Sequence, residues 1–171
     1  RRHPPGAPRP LPFPRRATGE IMALRERAAP VEEAEILWDP SPRLLYPLLR
    51  ASQTASFLPP PFEPFYLDLS HRTRHGAARS AAIRAGDSLA ACAICSAKTE
   101  EAAVLSAVAV RPDVRRRGFG ARVVLALAAS LPVDTIYIFR ASGENEAFYR
   151  TLGFTGHNHF AELDVQERNN L

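Results

Sequence analysis

Between residues 42 and 56, Leu44, Leu45, Leu48 and Leu49, with Phe57 just beyond, recur near the helical period of about 3.6 residues. Ser41 stands where an N-cap would accept from the first unpaired amides, and Pro42 suits the first turn, so the pattern predicts a helix. Pro59-Pro60-Pro61 stops it. Residues 62–75 repeat the period, with Phe62, Phe65, Tyr66 and Leu69 on one side, and close at Gly76. The period then changes. Residues 78–84, 88–96 and 102–110 read as strands. Ala85-Gly86-Asp87 is short enough to make the first pair a hairpin, and a turn at 98–101 follows. Residues 120–130 predict a helix closed by Leu131-Pro132, 135–139 a strand, 144–152 a second helix capped by Gly153, and 154–163 a final strand or two. Residues 35–38 are a short candidate first strand. Two helices, an antiparallel sheet and a strand–helix–strand–helix–strand run make a mixed α/β domain.

A chain of 171 residues suits one domain better than two. Residues 1–30 are rich in Pro, Arg and Gly and are expected to form no fixed element, leaving 31–171 as the domain. Met22, the only methionine, stands near the end of the Pro/Arg-rich part of this stretch, so residues 1–21 upstream of it read as an extension. The net charge of +4 resides there. Residues 1–21 hold five arginines against the single acid Glu20, and the remainder is balanced. A neutral body with no aromatic-and-basic stacking platform argues against a dedicated nucleic-acid binder. No apolar run is long enough to span a bilayer, and the first residues lack the order of a secretory signal. Cys92 and Cys95, three apart on a strand, face opposite sides and are not expected to pair. A reducing, cytoplasmic location is the expectation.

The stretch from Leu105 to Gly120 carries the candidate chemistry. A buried strand ends at Arg111-Pro112, and Arg115-Arg116-Arg117-Gly118-Phe119-Gly120 turns directly into a helix. Glycines at 118 and 120 permit conformations that side chains resist and let a ligand approach the main chain. Unpaired amides at a helix start, with the helix dipole behind them and arginines around them, form an anion nest. No Lys-Ser/Thr follows the glycines and the third glycine of a dinucleotide fingerprint is missing. From the loop alone, anion binding and a merely solvated Arg-rich turn both stand.

The sequence at this point resembles the GCN5-related N-acetyltransferase (GNAT) family. Arg115, Gly118 and Gly120 match its Arg/Gln-x-x-Gly-x-Gly/Ala cofactor motif after a buried strand. Asn145-Glu-Ala-Phe-Tyr-Arg-Thr-Leu-Gly-Phe154 is similar to its second motif. The two together, in this order, cover about residues 78–163. The resemblance implies one acyl-CoA N-acyltransferase domain whose mixed antiparallel and parallel sheet is flanked by helices. Two neighbouring parallel strands, 102–110 and 135–139, should splay apart, with a bulge near 106–109 as the device. It implies acetyl-CoA as cosubstrate and no metal. Val108, Ala109 and Val110 would line the pantetheine arm. Arg115, Arg116, Arg117, Gly118, Phe119, Gly120 and Ala121 would hold the pyrophosphate, and Asn145 and Tyr149 would contact the cofactor from the second helix.

The implied activity is acetyl transfer to a primary amine, on a small molecule or a peptide, by direct attack. Tyr149 matches the tyrosine that commonly protonates the departing thiolate, and a phenol titrating near 10 stays protonated at neutral pH. Asn145 reads as a cofactor contact or helix cap. Some family members carry a glutamate on the strand before the cofactor loop, where this chain has Val104. The remaining candidates for a base are Glu100, Glu101, His71, His75, His157 and His159, or a water chain. His157 and His159 lack the further ligands a metal needs. The rivals are a catalytically silent coenzyme A-binding domain and, further off, a nucleic-acid-binding protein. Dimerisation is common in the family, so a homodimer is a possible assembly.

Overall fold

A computed structural model describes residues 15–27 and 35–163. In chain order the elements are β1 (Arg15–Leu24), β2 (Ile36–Trp38), α1 (Pro42–Ala51), α2 (Phe62–Arg74), β3 (Arg79–Ala85), β4 (Ser88–Lys98) and β5 (Ala102–Val110). They continue with a 3-10 turn (Pro112–Val114), α3 (Phe119–Ser130), β6 (Thr135–Ala141), α4 (Glu146–Thr151) and β7 (Thr155–Leu163). One seven-stranded sheet runs β2-β3-β4-β5-β6-β1-β7. Every neighbouring pair is antiparallel except β5 and β6, which are parallel. The expected mixed α/β fold is therefore present.

The local signals act as their chemistry predicts. Ser41 Oγ accepts from the Arg43 amide at 3.3 Å and starts α1, whose Leu45, Leu48 and Leu49 are buried. Gly153 closes the segment after α4 at φ +95, a conformation that favours glycine.

Two apolar cores sit on opposite faces of the sheet. One gathers Met22, Leu24, Ile83, Leu105, Ile138 and Phe154 beneath α3. The other sets Leu45, Leu49 and Leu69 of α1 and α2 against Ala82, Cys92, Ile94 and Ala109. Cys92 and Cys95 are free and buried, one in each core, as their spacing predicts.

The first thirty residues require a correction. Residues 15–24 do not lack fixed structure: they form β1, inserted between β6 and β7. Met22 pairs across from Ile138 and Gly156, and Leu24 from Ile136. The folded unit therefore begins upstream of residue 31. Met22 and Leu24 are fully buried, and hydrogen bonding on both edges outweighs the polar composition of the stretch. Gly19 is needed within β1, because a Cβ there would overlap the Arg140 carbonyl oxygen and the Phe160 ring. The expectation of disorder at 1–14 and 28–30 lies outside the described residues.

The β5–β6 ladder is short. It pairs Ala102–Leu105 with Thr135–Ile138 and then stops, although both strands run on. The cause is on the opposite edge of β5. Ile94 pairs with Ala107 and Cys95 with Leu105, so Ser106 is an extra, bulged residue. A one-residue slip exchanges the two faces. Ala103 and Leu105 therefore belong to the α3 core, Ala109 joins the α1–α2 core, and Val108 and Val110 turn back toward α3. The bulge and the splay both fall where the family resemblance implied.

Candidate active site

The splay opens a cleft of about 1210 Å³ between the ends of β5 and β6. Its walls are the start of α3 with the preceding loop, α4 with its preceding loop, and the connection from α1 to α2. Arg111 anchors the entry to the loop. Its amide donates to the Ala90 carbonyl at 2.8 Å, and its guanidinium binds Asp113 at 2.6 and 3.1 Å. That pairing holds the Asp113 carboxyl below its ordinary range. Val114 is buried beneath the turn. The chain then passes through left-handed conformations at Arg116 (φ +62) and Gly118 (φ +81), the latter capping α3. The Arg122 amide returns to the Gly118 carbonyl at 3.1 Å. Among the described residues, the amides of residues 116–121 donate to no main-chain carbonyl. They form a run of free donors at the positive end of a twelve-residue helix. Gly120 adds clearance, since a Cβ there would stand 3.0 Å from Val110 Cγ2 and 3.5 Å from the Phe148 ring.

The end of β5 presents main-chain groups to the same space. Arg111 pairs with Ala90 on β4, and antiparallel alternation then turns the main-chain groups of Val108 and Val110 away from β4 and into the gap. The Val110 carbonyl accepts there from Ser52 Oγ at 3.2 Å and from Arg115 Nε at 3.4 Å.

Eleven of the twelve residues singled out from sequence line this cleft: Val108, Ala109, Val110, Arg115, Arg116, Gly118, Phe119, Gly120, Ala121, Asn145 and Tyr149. Arg117 is not in its wall. Its guanidinium lies 5.5 Å from the centre of the Phe119 ring. Asn145 occupies the N-cap position of α4 with φ +55, but its side chain makes no cap hydrogen bond. Tyr149 lies edge-on to Phe148 (5.0 Å) and Phe154 (5.6 Å). Burial pushes its phenol up to about 12.

None of the six candidate bases lines the cleft. His71 and His75 stack at 4.3 Å near the end of α2, and the His157 ring lies 5.2 Å from Tyr137. The carboxylates in the wall are instead Glu144 and Glu146. Glu144 bridges the cleft to Ser56 Oγ at 2.5 Å. Glu146 is held below its usual range by a hydrogen bond from Arg150 and by the charge of Arg140. Phe62 and Phe65 pack against Tyr46 and Tyr66 against Phe62, leaving Phe57 as the aromatic that this region contributes to the cleft. Sequence reasoning missed Ser52, Ser56, Phe139, Arg140 and Glu144, which lie outside both motifs. For Ser52 and Ser56 the only signal was the polar Ser/Thr run before Phe57, and Phe139, Arg140 and Glu144 carried none.

Burial raises the Cys92 thiol to about 12, which rules out a ready nucleophile there. Among the described residues no group of three or more His, Cys, Asp or Glu could hold a metal ion, and no helix is long and apolar enough to cross a membrane.

Residues 81–161 match the FR47-like protein family. Among solved structures, the chain is similar to a GNAT-family protein from Novosphingobium aromaticivorans, with 19% identity and a TM-score of 0.65 over 84% of this chain and 61% of that one. A GCN5-related N-acetyltransferase from Sphaerobacter thermophilus is 15% identical, with a TM-score of 0.64 over 87% and 51%. An acetyltransferase from Thermus thermophilus is 20% identical, with a TM-score of 0.57 over 75% and 97%. The chain thus spans between half and two thirds of the first two proteins. No curated protein matches it.

Proposed function

Because residues 81–161 match the FR47-like protein family and the fold is shared with solved GNAT-family proteins, we propose that the chain is a GCN5-related N-acetyltransferase that transfers the acetyl group of acetyl-coenzyme A to a primary amine. The observation that carries this is the run of unpartnered amides at 116–121, facing a cleft where β5 and β6 have separated. Such a cradle fits a pyrophosphate, and the cosubstrate would supply an activated thioester. Arg115 and Arg116 add charge beside the amides. The free main-chain groups of Val108 and the amide of Val110 suit an amide-bearing arm, which can continue a sheet ladder left open.

Tyr149 is assigned to the departing sulfur. A phenol near 12 stays protonated throughout the working range. Complete transfer of its proton to a thiolate of ordinary pKa, about 8.5, would be uphill by roughly 5 kcal/mol. Tyr149 therefore donates a hydrogen bond as negative charge develops, and passes its proton only as the attacking nitrogen gives one back. Among the described residues no histidine lines the cleft, and its wall carboxylates Glu144 and Glu146 are engaged by Ser56, Arg140 and Arg150, so the amine is assigned to lose its proton to water or to arrive neutral.

Calorimetry with acetyl-coenzyme A, followed by thiol release with a panel of amines, tests the proposal. Saturable binding and amine-dependent release are expected. Absence of binding refutes it, and binding without release favours the silent reading that Val104 keeps open. In Tyr149→Phe, turnover should fall by about 100-fold or more while cofactor affinity holds within about twofold. Unchanged turnover removes Tyr149 from the chemistry.

A further inference from the structure

Among the described residues, Arg140 is the one charged residue that is buried, its side chain only 6% exposed. It stands on β6 directly across from Glu20 of β1, and Arg140 Nη2 bonds the Glu20 carboxylate. The same nitrogen reaches Glu146 Oε2 in the first turn of α4 at 3.0 Å. Nη1 donates to the carbonyls of Ala141 (3.4 Å) and Glu144 (3.3 Å), in the connection between β6 and α4. One guanidinium thus joins an interior strand, a loop and a helix.

Its neighbours on that face of β6, Ile136 and Ile138, are apolar. A buried ion pair seldom stabilises more than apolar packing of the same volume. Arg140 Nε also has no partner, so the cluster is not arranged for stability alone. What it holds is α4. That helix has six residues, none fully buried, and so short a helix does not persist without tertiary support. Yet α4 presents Tyr149 and follows directly from Asn145, both in the cleft wall. Glu146 also accepts from Arg150 Nε at 2.7 Å, so the pairing with Arg140 fixes both turns of the helix.

We propose that Arg140, through Glu146 and Glu20, is a positioning residue that sets the placement of α4, and with it the Tyr149 hydroxyl, over the gap between β5 and β6. This rests on the role given to Tyr149 above. Arginine is required because its planar fork serves several acceptors at once, which a lysine ammonium on a flexible stem does not.

Glu146→Gln is the first test, because Glu146 is partly exposed and its loss leaves the β1–β6 pairing intact. Arg140→Lys is the second, and Tyr149→Phe supplies the reference for assigning the Tyr149 titration by ultraviolet difference absorbance. In both test variants, acetyl-coenzyme A affinity should stay within about twofold while kcat falls roughly tenfold or more. Tyr149 should titrate lower, toward the ordinary tyrosine value near 10, as water reaches a loosened helix. A merely structural role would lower the melting temperature without moving that titration. Wild-type kcat in both variants, or a kcat loss with the Tyr149 titration unmoved, overturns the proposal. If the wild-type protein transfers no acetyl group, the activity assignment fails by itself. The titration, together with amide exchange at Phe148 and Tyr149, still decides whether Arg140 and Glu146 hold the helix.

Discussion

Gly118 is where the proposed cradle is most open to a direct test. It caps α3 at φ +81 and ψ −1, and a Cβ there would meet no atom within 4 Å. Steric crowding with neighbours is therefore absent, and any effect of Gly118→Ala must come from the backbone. Holding a non-glycine residue in the left-handed region costs about 1–2 kcal/mol. If the loop keeps its shape, that strain is carried by the folded protein, and the melting temperature should fall by roughly 2–8 °C. If the loop relaxes to negative φ, the amides that follow turn away from the cleft. Each hydrogen bond lost to a charged ligand is worth about 1.5–3 kcal/mol, so acetyl-coenzyme A affinity should fall at least tenfold. Calorimetry with acetyl-coenzyme A and thermal denaturation on the same sample measure both. Gly118→Asn is the control, because asparagine visits this region more readily and should recover part of whichever quantity alanine loses. If Gly118→Ala melts and binds like the wild type, the cradle does not depend on this geometry and the reasoning fails.

Gly19→Ala should be far more damaging, because the added methyl would meet a main-chain oxygen and a ring rather than open space. A loss of about 3 kcal/mol or more in denaturant unfolding is expected, and wild-type stability would contradict the placement of β1. Alkaline stability follows from two buried acids. Cys92 rises from 9.0 and Tyr149 from 10.0, each to about 12, and both are neutral when protonated. Their contribution is complete below pH 9 and is lost as pH rises from 9 to 12. For Tyr149, two units correspond to about 2–3 kcal/mol, so urea unfolding between pH 8 and 11 should show falling stability, with a shallower slope in Tyr149→Phe. A flat profile in the wild type would show that neither group is desolvated. The Cys92 thiol should resist thiol reagents at pH 8 until the protein unfolds; prompt labelling of the native state at that position would contradict its burial.

How much was legible in the sequence differs by region. α1, the β3–β4–β5 meander and α3 were read closely because their causes are local: a serine cap, a glycine turn, an apolar period. The turn into α3, the proposed cradle, was legible for the same reason, since free amides at a helix start follow from Arg115 to Gly120 alone. β1 was not. Its partners lie more than a hundred residues away in β6 and β7, and nothing within residues 15–24 records them. The same holds for the pairing of Arg140 with Glu20 and for the closure of the cleft by Ser56 and Glu144.

The sequence by itself determined the periods of most elements beyond residue 41 and the glycine turn that leads into α3, and the resemblance it carries pointed to residues that line one wall of the cleft. Only the tertiary structure decided that an N-terminal strand completes the interior of the sheet, that Arg117 lies over Phe119 rather than in the cleft wall, and that no candidate histidine reaches the site. The physical reason is range. Helix caps, turns and amphipathic periods act over a few residues, whereas strand pairing and buried charge networks are chosen among all surfaces the folded chain brings together.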